Sequence, residues 1–177
     1  MKKKTLALVL ALTLLVAGVV GGTLAWLTDQ TAEVKTTFTV GDINIGLTET
    51  TADYKMVPGN TIAKDPTVTV KANSEACWLF VKVTESTDLK DFITYAIAEG
   101  WTALPGVDGV YYREVPASAA DQTFSVLAGD AVTVKSDVTR TMLETAKTDA
   151  PTLTFKAYAI QKDHFATADA AWAEVSK

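Results

Sequence analysis

One histidine and one cysteine set narrow limits on the chemistry open to this 177-residue chain. His164 lies in Lys162-Asp-His-Phe165, beside a carboxylate but with no second imidazole anywhere in the sequence. That excludes His-x-x-x-His zinc motifs and every site needing two imidazoles from one chain. A zinc site of one His and several carboxylates is uncommon, and no Glu stands at a fixed helical spacing to act as its base. His164 therefore reads as a loop or capping histidine. Cys77 falls in the strongly apolar run Ala76–Val83, where desolvation disfavours the thiolate and blunts its reactivity. It reads as a buried structural thiol, the alternative being an exposed cysteine that forms an intermolecular disulfide. A lone Cys forms no internal disulfide.

The carboxylates suggest little more. Asp42, Asp53, Asp65, Asp88, Asp91, Asp108 and Asp130 fall in or near expected turns. A Ca²⁺ loop needs several oxygens converging within one short segment, and only Asp42-Ile-Asn44 offers even two. Solvated turn carboxylates are the reading, with an adventitious Ca²⁺ site as its alternative. Tyr111-Tyr112 and four Trp residues could form a carbohydrate platform, but aromatics at this density more commonly pack a core. No catalytic residue, no metal and no cofactor is expected. A formal net charge of −5 also argues against nucleic acid as a partner, since phosphate binding needs clustered cations.

The start of the chain reads as an address. Lys2, Lys3 and Lys4 precede a stretch from Thr5 to Thr28 that is 24 residues long and carries no charge. A cationic n-region, a Leu/Val/Ala-rich run and small residues at Thr23 and Ala25 make a signal peptide over residues 1–25, cut before Trp26. The run is also long enough to span a bilayer, so an uncleaved anchor is the alternative. A buried core helix is disfavoured because the run has no polar face. Either way the rest of the chain is exported, and the membrane is engaged only transiently if the leader is removed. Loss of the three leader lysines moves the formal charge from −5 to −8.

The exported part, 26–177, reads as a single domain with an N-terminal extension at residues 26–35. Its size suffices for a sizeable core. The chain holds 27 Thr, many beside Val or Ile, a composition that favours strands. Thr36–Thr48 alternates apolar and polar with a phase change at Gly41-Asp42, as in a strand with a bulge. Residues 53–63 read as a loop around a Pro58-Gly59 turn, and Thr67–Lys71 as a short strand. Ala76–Val83 has the pattern of a central strand buried on both faces. For Asp88–Glu99 the spacing of Leu89, Phe92, Ile93 and Ala96 predicts a short helix, an irregular strand being the alternative. Gly109–Val115 reads as a strand with Val110, Tyr112 and Glu114 on one face and Tyr111, Arg113 and Val115 on the other. Thr123–Leu127 and Ala131–Val134 flank Ala128-Gly129-Asp130 as a hairpin would. A helix over Thr139–Thr148, a strand over Pro151–Gln161 and a short Ala-rich helix with Trp172 facing inward complete the chain. There is no βαβ rhythm and no Gly-rich phosphate loop. Frequent short strands with brief helices predict a mainly β fold, an antiparallel β-sandwich of jelly-roll type.

Two groups of residues carry a family likeness. Gly21-Gly-Thr-Leu-Ala-Trp-Leu-Thr-Asp29 is followed by Thr37-Phe-Thr-Val-Gly-Asp-Ile-Asn-Ile45. Downstream stand Val57-Pro-Gly-Asn60, Asp65-Pro-Thr-Val-Thr-Val70, Phe80-Val-Lys-Val83, Ala157-Tyr-Ala-Ile-Gln161 and Ala170-Ala-Trp172. In these blocks and their order the chain resembles the SipW-dependent exported proteins, the TasA-like and camelysin-like family. It departs from them at Trp26-Leu-Thr28, where an aromatic pair or Phe-Ser/Asn is more usual. The resemblance implies a jelly-roll sandwich, export through a dedicated signal peptidase, and residence on a bacterial surface or in a biofilm matrix.

With no catalytic constellation, backbone chemistry remains. A β-sandwich has edges that can accept a strand from a neighbour. The segment Trp26–Lys35, with Trp26, Leu27, Ala32 and Val34 set among charges, is a candidate donor strand for the next copy; a frayed N-terminus is the alternative. The expectation is a secreted structural protein that self-associates into a homo-oligomer or fibre. The other readings are a camelysin-like surface metallopeptidase, which members of the resembled family have been classed as, and a monomeric surface module that binds host or glycan ligands.

Overall fold

Threonine and the β-branched residues are used here for many short strands. A computed structural model describes residues 42–50 and 55–177 of the chain. The leader with Thr23, Ala25 and Trp26, the donor-strand residues Trp26, Leu27, Ala32 and Val34, the early part of the first strand and Asp53 all lie outside the described residues. Among the described residues run β1 (Ile45–Thr48), β2 (Thr61–Ala63), β3 (Thr67–Val70), β4 (Cys77–Glu85), α1 (Leu89–Phe92), β5 (Ile93–Thr94), β6 (Thr102–Ala103), β7 (Val110–Val115), β8 (Gln122–Ser125), β9 (Ala131–Val134), α2 (Arg140–Ala146), β10 (Leu153–Gln161) and α3 (Ala168–Val175). The fold is mainly β, with three antiparallel sheets in the orders β1-β3-β8, β10-β4-β7-β6 and β2-β9-β5.

β4 is the strand on which the rest is built. Cys77 through Val81 are all buried, and β4 lies between β10 and β7. Its period-two alternation sorts side chains to two faces. Cys77, Leu79, Val81 and Val83 join Val68 and Val70 of β3 and Val115 of β7 in one core. Trp78 and Phe80 turn the other way, onto Val110, Tyr112, Ala168 and Ala171. The two faces expected for β7 are the observed ones, with Tyr111 and Val115 in the first cluster and Val110 and Tyr112 in the second. Trp172 of α3 faces inward, its ring centroid 5.3 Å from Phe80 and 5.2 Å from Tyr158. Thr167 and Thr139 cap α3 and α2, each hydroxyl accepting a backbone N–H at 3.3 Å. α2 supplies Met142, Leu143 and Ala146 to a third cluster with Phe92, Val134 and Val138.

Three expectations need correction. Asp88–Glu99 is helical for one turn only, over Leu89–Phe92. Asp88 makes no side-chain cap bond, and β-branched Ile93 is extended so that it pairs with Val134. The tertiary ladder overrides a weak local helix preference. The segments around Ala128-Gly129-Asp130 do not form a hairpin. β8 pairs with β3 in the first sheet, whereas β9 pairs with β2 and β5 in the third. Val126 and Leu127 are fully buried, so the chain passes through the core between sheets, and a 3₁₀ turn at Ala128–Asp130 redirects it. Finally, residues 53–63 hold the expected turn at Pro58-Gly59 but also the short strand β2. Three residues are too few for an alternation signal.

Candidate assembly edges

Each sheet ends in two edge strands, and an edge is a row of N–H and C=O groups that can take on a further strand. Among the described residues the edges are β1 and β8, β10 and β6, and β2 and β5. β5 and β6 have two residues each and β2 has three; β1 and β8 have four. β10 has nine, without a proline or a break.

The phase of β10 follows from two bonds at its ends. Ser86 N–H donates to the Thr152 carbonyl and Lys162 N–H donates to the Ala76 carbonyl, both at 2.9 Å. In an antiparallel ladder bonded pairs alternate with unbonded ones, so successive residues direct their backbone groups to opposite sides. The even-numbered residues of β10 therefore bond β4. Leu153, Phe155, Ala157, Ala159 and Gln161 direct their N–H and C=O away from it. None of the nine residues is fully buried, in contrast with β4 beside it. Beyond the start of β10, Leu47, Pro66, Leu153 and Phe155 line a recess of about 300 Å³ between the ends of β1 and β10. Lys64 sits over the Phe155 ring, with Nζ 2.6 Å from Glu49 Oε1.

Arg113 of β7 lies over two aromatic rings. Its guanidinium carbon is 3.9 Å from the Phe124 ring centroid and 5.4 Å from that of Trp101. Nε is buried without a hydrogen-bond partner, and burial draws the guanidinium below its ordinary pKa. Trp101 Nε1 donates to the Ser125 carbonyl at 2.9 Å, tying this corner to β8. The sequence signal for Arg113 was one charge between Tyr111 and Val115 on the inward face of β7.

The residues considered for chemistry are dispersed. Cys77 is wholly buried, and burial pushes its thiol up to about 11. His164 ends an exposed 3₁₀ turn, Lys162–His164. The Asp65 carboxylate accepts from both the hydroxyl and the N–H of Thr50, bonds that hold it below the usual carboxylate range. Asp88 accepts from Ser86 Oγ at 2.9 Å, Asp130 has a left-handed backbone at φ 49°, and the Asp42 carbonyl accepts from Glu75 N–H. Asp91 sits in α1, its N–H bonded to the Asp88 carbonyl. Asp108 borders a shallow recess of about 380 Å³ with Lys82, Glu85, Tyr95 and Tyr111, in which Tyr95 OH donates to Glu85 at 2.6 Å. Burial and then that carboxylate raise the Tyr95 phenol. Asp121, which sequence reasoning passed over, accepts from Ala72 N–H and from Lys71 and is likewise lowered. Among the described residues no group of three or more His, Cys, Asp or Glu is placed to hold a metal ion. Tyr112 and Trp78 pack edge to face at 5.8 Å, so these rings are engaged in the fold.

Among the described residues no helix is long and apolar enough to cross a membrane. No protein family, characterised protein or solved structure matches the chain.

Proposed function

We propose that this chain is a secreted structural protein of a bacterial cell surface or biofilm matrix, which associates with copies of itself through β-strand edges and extends into fibres. It works without a cofactor and without catalysis. In this reading residues 1–25 are removed before Trp26, with Thr23 and Ala25 fitting the dedicated signal peptidase. The exported domain is an antiparallel sandwich of jelly-roll type, in keeping with the family it resembles. Trp26–Lys35 then acts as a donor strand for the next copy. The single observation that supports edge association best is β10: among the described residues it is a nine-residue strand at the end of its sheet, with five residues directing backbone donors and acceptors away from β4.

Intact mass of the secreted material tests the export reading, which requires a chain running from Trp26 to Lys177. Light scattering of the same material tests association, and deletion of Trp26–Lys35 tests the donor strand; unchanged polymerisation would remove it from the scheme. Casein hydrolysis that is chelator-sensitive and lost in His164→Ala would replace the structural reading with a metallopeptidase. A strictly monomeric protein on size exclusion would favour a surface binding module instead.

A further inference from the structure

We propose that the outward edge of β10 is the surface through which two copies of this chain pair, antiparallel and about a twofold axis at Ala157, joining their four-stranded sheets into one sheet of eight strands. The inference rests on the reading of edge-mediated association and adds the strand, the partner and the register.

The geometry restricts the register closely. Leu153, Phe155, Ala157, Ala159 and Gln161 carry the outward backbone groups, and only odd-numbered residues can form the bonded pairs. A twofold axis perpendicular to the sheet puts each side chain opposite one from the same face, which is consistent with that parity. With the axis at Ala157, all nine residues overlap: Ala157 meets itself, Phe155 meets Ala159, and Leu153 meets Gln161.

Charge disfavours one of the two neighbouring registers. β10 contains a single charged side chain, Lys156. A shift of the axis to Lys156 would set the two lysines directly opposite each other, an unfavourable cross-strand pair. The axis at Ala157 instead places Lys156 of each copy opposite Tyr158 of the other. Lys156 already favours that ring, its Nζ lying 4.9 Å over Tyr158 within the chain. Within its own sheet Lys156 stands opposite Lys82, so an aromatic partner on the outer side is the more favourable neighbour. The new pairing would also bring a second strand alongside Leu153, Phe155, Ala157 and Ala159, all of which pack on the core yet none of which is fully buried.

Cysteine cross-linking of the full chain tests the register directly. Lys156 and Tyr158 would form an unbonded cross-strand pair with Cα atoms about 4.5 Å apart, within disulfide range. A mixture of Lys156→Cys and Tyr158→Cys chains should yield a disulfide-linked dimer that neither variant gives alone. Ala157→Cys, whose Cα atoms would be about 5.5 Å apart, should cross-link with itself and guards against misfolding of the Tyr158 variant. Buried Cys77 is left in place. In the unlinked protein Lys156→Glu should weaken association by roughly tenfold, the loss of two cation–π pairs. Lys156→Cys cross-linking with itself would overturn the register. If neither pair cross-links while the wild-type chain still associates, β10 is refuted and edge association survives at another strand. A wild-type chain that remains monomeric refutes both.

Discussion

Gly106 and Gly109 offer a controlled test of how β7 is seated against β4. They share a left-handed backbone, φ +72° and +71°, so alanine meets the same conformational penalty at each, about 1–2 kcal/mol. Their surroundings differ. A Cβ at Gly106 would have nothing within 4 Å, whereas one at Gly109 would lie 2.4 Å from the Val83 carbonyl oxygen. That oxygen belongs to the backbone of the central strand, and Val83 N–H donates to the Gly109 carbonyl at 2.7 Å. The neighbour cannot rotate aside as a side chain would. Relief requires β7 to lift from β4 and weaken the first bond of their ladder, which adds about 2 kcal/mol or more from overpacking and a strained hydrogen bond. Gly109→Ala is therefore expected to cost about 3–4 kcal/mol and Gly106→Ala about 1–2 kcal/mol. Urea titration followed by tryptophan fluorescence reads both, with equal m-values so that the midpoint shift reports stability alone. Equal losses for the two variants would refute the reasoning, because the backbone penalty would then account for everything and the close approach for nothing.

Arg113→Ala should destabilise the fold by about 1–2 kcal/mol, since the stack on Phe124 and Trp101 is lost. Arg113→Met should cost less, because it keeps aliphatic packing and removes the unpartnered Nε; thermal melts of the pair compare them. For Cys77 the folded thiol ionises near 11 against an ordinary 9.0. The unfolded chain loses that proton first, so stability should fall as pH rises from about 9 towards 11, and Cys77→Ala should remove that component of the slope. At the acid end, the depressed Asp65 pKa gives stability that is present above the ordinary carboxylate value and is lost as pH falls through the folded one. Thr50→Val should raise the Asp65 pKa in an NMR titration, since both of its strongest bonds come from Thr50 and the hydroxyl supplies the larger.

What could be read in advance followed the strength of local signals. Ala76–Val83 announced a central strand because so apolar a run has to be covered on both faces, and the alternation of Val110 to Val115 separated Tyr111 and Val115 from Val110 and Tyr112. Helix α2 was legible from its stripe of Met142, Leu143 and Ala146, and α3 from its alanine-rich composition. The misread segments share another property. Ile93 and Leu127 each sit where a long-range partner decides the backbone: Ile93 pairs with Val134, and Leu127 is bridged to Ile97. Sequence windows around them contain the residues but not the partner. The split of 122–134 between two sheets is the clearest case, since a Gly-Asp turn between apolar runs has the composition of a hairpin whichever sheets its arms join.

The candidate edge at β10 was half legible for the same reason. The apolar content of Pro151–Gln161 gave the strand, observed over Leu153–Gln161. Alternation has nothing to say about whether that strand is central or terminal, because the pattern concerns the two faces and an edge is a property of the third direction. In β4 the backbone bonds are shared between two neighbours; in β10 the even residues are satisfied by β4 and the odd residues point outward. Among the described residues, two strands of equal length and similar apolar content thus differ in how many of their backbone groups a neighbour takes up, through their order in the sheet. The charge pattern then acts on what order has left open: one lysine is enough to disfavour pairing centred on Lys156, and moving the axis by a single residue exchanges that repulsion for an aromatic contact. In the proposed pairing, a strand with its outward groups at odd positions and its only charge at an even one admits self-pairing about Ala157 while opposing the alternative centred on Lys156.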